Sequence, residues 1–154
     1  PAAAYGGSRE LMELIAPAGE VYQAGTLSGN PLAVAAGLAT LRQLDEAAYA
    51  RLASTTETLA DGLRAGADAA GVPVEVVEAT GLVTVFFSDR PVMDYAGAQA
   101  CDTERYGAWC RELLARGVYP PPSQFEAWFP SIVHDSGQLD LTIEAAAAAF
   151  SEVA

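Results

Sequence analysis

The sequence predicts an α/β or α+β layer in which helices cover a short, partly antiparallel sheet. Three observations point there. Apolar residues recur at helical spacing in several stretches, β-branched and aromatic residues gather in short runs between them, and glycine and proline punctuate the change of period.

The first boundary is Asn30-Pro31, a capping residue followed by a proline that needs no backbone N–H partner at the first helical position. A helix is expected from there, with Leu32, Ala35, Ala36, Ala39 and Leu44 roughly on one face and a break near Asp45. Leu52, Thr56, Leu59, Leu63 and Ala67 then repeat at helical spacing up to a stop at Gly71. Val72 to Val77 and Leu82 to Phe87 read as strands, and the short link Glu78-Ala79-Thr80-Gly81 suits an antiparallel hairpin. Asp102 is placed to cap a helix through Tyr106, Trp109, Cys110, Leu113 and Leu114, which stops at Gly117. Short strands are expected at Val118-Tyr119, ahead of the proline run, and across Trp128 to His134. Asp135 and Gln138 have capping-box spacing, and Leu139, Ile143, Ala146, Phe150 and Val153 stripe the last helix. Residues 1–48 pair a strand and a polar loop with the start of a long connecting helix, so they are expected to form a different body from 49–154.

With 51% hydrophobic and 18% charged residues, the chain lies far from the composition of disordered proteins. Its net charge of −12 repels phosphates and anionic head groups, which argues against nucleic-acid and membrane-surface roles. No stretch reaches the ~18 apolar residues of a membrane span. Cys101 and Cys110 do not make a disulfide framework and are expected as reduced, packed thiols in a cytoplasmic protein. His134 is the only histidine and lacks neighbours at ligand spacing, so no metal site is expected. All eight basic residues are arginine, and there is no lysine. The chain opens on small residues with no initiator methionine, as a segment of a longer protein would.

The most informative stretch is Tyr22-Gln23-Ala24-Gly25-Thr26-Leu27-Ser28-Gly29-Asn30-Pro31. It sets small and hydroxyl-bearing residues just before a helix N-terminus, where free N–H groups and the helix dipole favour an anion such as phosphate. An ordinary loop before a capped helix accounts for the same residues.

The run Val21 to Ala33 resembles, nearly residue for residue, the interface loop of glutamate-1-semialdehyde aminomutases within the class III aminotransferase superfamily. Ala4 to Glu10, Asp102 to Tyr106, Arg116 to Tyr119 and Pro122 to Ala127 are similar to family segments in the same order and spacing. The resemblance implies a fold-type I pyridoxal-phosphate-dependent transferase, with residues 1–48 ending the large cofactor-binding domain and 49–154 forming the small C-terminal α+β domain. It implies a homodimer in which the loop from Tyr22 to Asn30 crosses the interface. Gly25 and Thr26 would bind the partner's cofactor phosphate there, and Tyr22 would point to the partner's substrate pocket. Glu126 would lie beside the substrate as the catalytic carboxylate, with Ser123 in the same pocket, and Ser123 or Gln124 would tie down the turn. The implied reaction converts glutamate-1-semialdehyde to 5-aminolevulinate, a tetrapyrrole precursor. The alternatives are a class III aminotransferase with a separate keto-acid acceptor, and a dimerisation or regulatory module without chemistry.

Family members form a Schiff base between a lysine and the cofactor, which arginine cannot do because its guanidinium stays protonated. That lysine is expected just ahead of the segment matching Pro1. Two places depart from the family pattern: Gly81-Leu82-Val83, where many relatives have a polar residue and Met-Phe, and Trp128, where many have glycine.

Overall fold

The protein's architecture was obtained as a computed structural model, which describes residues 3–154. Contacts divide the chain into one unit ending at Asp45 and a second running from Glu46 to Ala154.

The first unit holds two helices. In α1 (Arg9–Met12) the Ser8 side chain accepts from Leu11 N, and in α2 (Pro31–Leu41) Asn30 caps the first turn. In place of the expected strand there is one isolated bridge between Ile15 and Val21. Helix α2 stops at Leu41, so Leu44 lies beyond it rather than on its apolar face. No described residue of this unit is buried, and Leu32, Val34, Leu38 and Leu41 all stand exposed.

The second unit carries the core. Helix α3 (Glu46–Ala70) buries Thr55, Thr56, Leu59, Ala60, Leu63, Gly66 and Ala67, the stripe its spacing predicts. It ends where Gly71 takes φ +69° and Val72 N donates back to Ala67 O. That bond, and the missing N–H of Pro73, delay the first strand: β1 is Glu75–Ala79, shorter at its start than the expected run from Val72. It pairs antiparallel with β2 (Leu82–Phe86), Glu75 opposite Phe86 and Ala79 opposite Leu82. Gly81 makes the turn at φ +81°, a conformation costly for any residue with a Cβ.

Helix α4 (Tyr95–Gln99) was not expected from the sequence; Asp94 caps it by accepting from Gly97 N. Helix α5 (Thr103–Ala115) starts at the expected Asp102 cap, and α6 (Ser136–Glu152) starts at a complete capping box between Asp135 and Gln138. Helix α6 crosses α3 closely: a Cβ on Gly62 would strike Ile143, and one on Gly66 would lie 3.1 Å from Ala147 Cα. Between helices and hairpin sits an aromatic core. Trp109 stacks on Phe150 at 4.8 Å and on Trp128 at 5.7 Å, and Phe87 packs edgewise on Trp109.

Two expected strands are absent. Val118 N closes the end of α5 by donating to Leu113 O, and the prolines that follow offer no donors, so Val118-Tyr119 joins no ladder. Trp128 exchanges backbone bonds with Val83, with N···O distances of 2.7 and 3.1 Å. Pro130 then supplies no donor, and Ser131 to His134 folds into a turn, so this segment contributes a single bridge.

Candidate functional site

In the first unit, Gly25 to Ser28 forms a turn closed by Ser28 N donating to Gly25 O at 3.0 Å, and Asn30 N donates to Leu27 O at 3.0 Å. A Cβ on Gly25 would sit 2.7 Å from Ser28 Oγ, so that hydroxyl would have to turn aside. Asn30 Oδ1 accepts from both Leu32 N and Ala33 N at 3.1 Å, and Pro31 has no N–H. The leading amides of α2 are therefore already engaged, so the helix terminus itself is a poor anion seat. What remains available is the turn: among the described residues the Thr26 amide, the Thr26 hydroxyl and the Leu27 amide have no partner. Consecutive free N–H groups of this kind suit an anion. Tyr22 is 82% exposed on the same loop.

In the second unit, Ser123 to Glu126 forms another turn, with Glu126 N donating to Ser123 O at 3.1 Å and Phe125 N to Ser123 Oγ at 3.2 Å. The Ser123 hydroxyl thus braces its own loop. Glu126 is exposed, and among the described residues its carboxylate has no hydrogen-bond or ion-pair partner. It lines an open groove of about 1090 Å³ whose walls include the three prolines 120–122, Trp128, Leu139 and His134. His134 Nδ1 accepts from Ser131 N at 3.1 Å, a turn-stabilising role. Among the described residues no three His, Cys, Asp or Glu side chains gather to hold a metal ion.

The loop bearing Glu126 is fastened at three places. Tyr106 donates its hydroxyl proton to Pro121 O at 2.8 Å; burial pushes this phenol up to about 12, opposed by the Trp128 indole N–H beside it. That N–H is buried without full hydrogen-bonding geometry of its own. Gln124, 2% exposed, donates from Nε2 to Ala98 O at 2.8 Å. Trp128 holds the far end through its backbone pairing with Val83. Burial also raises the pKa of both Cys101 and Cys110, which are free thiols.

No family model matches the chain. Among curated proteins, the glutamate-1-semialdehyde 2,1-aminomutase of Anaeromyxobacter dehalogenans (strain 2CP-1) is 52% identical over 154 residues, all of this chain and 36% of that protein. The protein of the same name from Syntrophobacter fumaroxidans is 53% identical over 99% of this chain and 36% of its own length. The chain is homologous to the C-terminal portion of this aminomutase family. It spans about a third of the length of these relatives. Among solved structures, an omega-transaminase from Sphaerobacter thermophilus superposes on 96% of this chain and 34% of its own, with TM-score 0.77 and 26% identity. A transaminase with PLP bound superposes with TM-score 0.76 at 23% identity, a likeness of fold alone. The chain therefore has the fold of the matching third of these transaminases, with a small antiparallel sheet covered by helices.

Within the chain, the structure gathers Tyr22, Gly25 and Thr26 on one loop and Ser123, Gln124 and Glu126 on another. Neither α4 nor the role of Tyr106 in fastening the second loop was expected from the sequence. Their partners, Pro121 and Gln124, lie 15 and 26 residues from them.

Proposed function

We propose that this chain is the C-terminal part of a cytoplasmic, pyridoxal-phosphate-dependent aminomutase that converts glutamate-1-semialdehyde to 5-aminolevulinate for tetrapyrrole synthesis. The observation that carries this reading is identity of about half, over the whole chain, to aminomutases of that name. Residues up to about 48 would complete the large domain, and the remainder would form the small one.

The residues present fit the cofactor's phosphate. The Thr26 amide and hydroxyl and the Leu27 amide offer three donors, unpartnered among the described residues, on a turn that Ser28 N closes and the Asn30 bond to Leu27 stiffens. They would bind the phosphate of a partner subunit across a homodimer interface formed by the loop from Tyr22 to Asn30, with Tyr22 reaching toward the partner's substrate. The sequence has no lysine, so an amine that held the cofactor covalently would come from outside these 154 residues. When bound, pyridoxal phosphate supplies the electron sink for amino-group transfer. Glu126, exposed and unpaired on its groove, would hold the substrate's ammonium group and take up or return a proton at that nitrogen. The groove's proline and tryptophan walls would limit water around that exchange.

A second reading, a transaminase with a separate keto-acid acceptor, is favoured by the superposition on an omega-transaminase. Turnover by the complete gene product separates the two. Conversion of glutamate-1-semialdehyde with no added acceptor is expected, and a strict requirement for a keto acid would overturn the aminomutase assignment. Thr26→Ala is expected to lower cofactor retention on dialysis about ten-fold or more, and unchanged retention would remove Thr26 from the phosphate site.

A further inference from the structure

We infer that Gln124 is a positioning residue that fixes where the Glu126 carboxylate stands, by pegging its loop into α4. The inference rests on the proposed role of Glu126 at the substrate.

The Glu126 side chain makes no hydrogen bond or ion pair among the described residues and meets only the Tyr106 phenol through its charge, so its place is set chiefly through its backbone. The nearest side-chain tether is Gln124, two residues away. Its Nε2 donates to Ala98 O at 2.8 Å, a carbonyl that Cys101 N also reaches at 3.3 Å. The intervening Phe125 lies on the same helix, its ring 5.9 Å from that of Tyr95. The peg has a cost. Gln124 Oε1 is buried with no donor, and half-satisfied buried amides destabilise a fold relative to an apolar side chain of the same size. Packing alone would be served better by leucine or methionine. What the amide adds is direction: one hydrogen bond to a fixed carbonyl defines the orientation of the turn from Ser123 to Glu126. A displacement of about 1 Å at a reacting group is enough to cost ~10²-fold in rate.

The test uses the complete, cofactor-loaded gene product and four variants: Gln124→Leu, Gln124→Glu, Glu126→Gln and the double variant Gln124→Leu/Glu126→Gln. Gln124→Leu is expected to lower kcat/KM about ten- to hundred-fold. Adding it to Glu126→Gln should change kcat/KM by less than about two-fold, because a misplaced carboxylate and an absent one are the same loss. Amide hydrogen exchange across residues 122–128 should quicken about ten-fold in Gln124→Leu while α3 and α6 keep their protection. In Gln124→Glu only the protonated acid can donate to Ala98 O, so its kcat/KM relative to the parent should rise as pH falls. This arm still decides the matter if the leucine variant does not fold. Losses that multiply in the double variant, or a Gln124→Glu ratio independent of pH, would overturn the inference. If Glu126→Gln alone left kcat/KM unchanged, the role of Glu126 itself would fall.

Discussion

Thr56 offers a direct measure of what ties α3 to the hairpin. Its hydroxyl donates to Leu52 O at 2.7 Å and accepts from Gly81 N at 2.9 Å, and both Thr56 and Gly81 are buried. Gly81 holds the turn at φ +81°, and any Cβ there would press on Leu52 at 2.9 Å, so its N–H cannot easily turn elsewhere. Thr56→Val keeps the side-chain shape and removes both hydrogen bonds. Leu52 O sits mid-helix and retains its backbone partner, so its loss is small. Gly81 N is left buried and unpaired, which costs about 1–3 kcal/mol, partly offset by the better burial of a methyl group. A net loss of about 1–2 kcal/mol lowers Tm by roughly 5–10 °C in a unit of this size. Circular dichroism melts of parent, Thr56→Val and Thr56→Ser give the answer. Thr56→Ser keeps the hydroxyl and should recover most of the loss. A Thr56→Val melt within about 2 °C of the parent, or a serine variant no better than valine, would refute the argument that this hydroxyl pins the turn.

Tyr106 governs the alkaline limb of stability. Its pKa rises from 10.0 in the unfolded chain to about 12 in the folded one, so its contribution is intact below pH 10 and is lost as pH climbs toward 12, by up to roughly 2–3 kcal/mol. Urea titrations at stepped pH should show that decline in the parent and a shallower one in Tyr106→Phe, which also forfeits about 1 kcal/mol with its bond to Pro121 O. Gly66→Ala should destabilise by about 1 kcal/mol, because the added methyl meets Ala147 Cα and Cβ at 3.1 Å and overpacking outweighs the gain in helix propensity. Gly107→Ala, which meets only the end of Arg111 at 3.5 Å, should stabilise by a similar amount; equal responses in urea melts would show that α3 and α6 separate freely.

Much of this architecture is written in local signals. The apolar stripe of α3, the caps at Asn30, Asp102 and Asp135, and the β-branched runs around Thr80-Gly81 each act within a few residues, and each appears in the structure. Where the expectation missed, a competing backbone demand had won. Val72 N completes the end of α3 instead of starting a strand, and Val118 N does the same for α5. Trp128 finds one partner in Val83 before Pro130 and the Ser131 turn end the pairing. Spacing gave no hint of α4, a five-residue helix too short for a stripe and recognisable only from its Asp94 cap. The site divides the same way. Thr26, Glu126 and the turn-tying Gln124 follow from resemblance to a family, whereas the partners that Gln124 and Tyr106 reach, Ala98 and Pro121, are distant in sequence and no local pattern encodes them. At the proposed phosphate site, Asn30 caps α2 so fully that the Thr26 turn, not the helix end, retains free donors among the described residues.

The uneven distribution of core between the units leads to a last prediction. Every member of the core cluster, from Leu59 to Phe150, lies in the second unit, and the first unit has no buried residue among those described. Ordering one residue costs roughly 1–2 kcal/mol of backbone entropy, and burial of apolar surface is the main term that offsets it. A segment of this length that buries nothing cannot meet that cost from its own contacts, while the second unit has a stacked aromatic core to do so. Expression of residues 1–154 alone, expected from the exposed α2 to fold poorly as a whole, should therefore give a divided result. Limited proteolysis should cut rapidly before residue 46 and leave a resistant fragment that retains a cooperative melt. Protection of the loop from Tyr22 to Asn30 to the same degree as α3 would contradict this, as would digestion of both units at one rate. The cutting pattern bears on the site as well, because the Thr26 turn can present its donors in a fixed direction only where contacts beyond its own unit hold it.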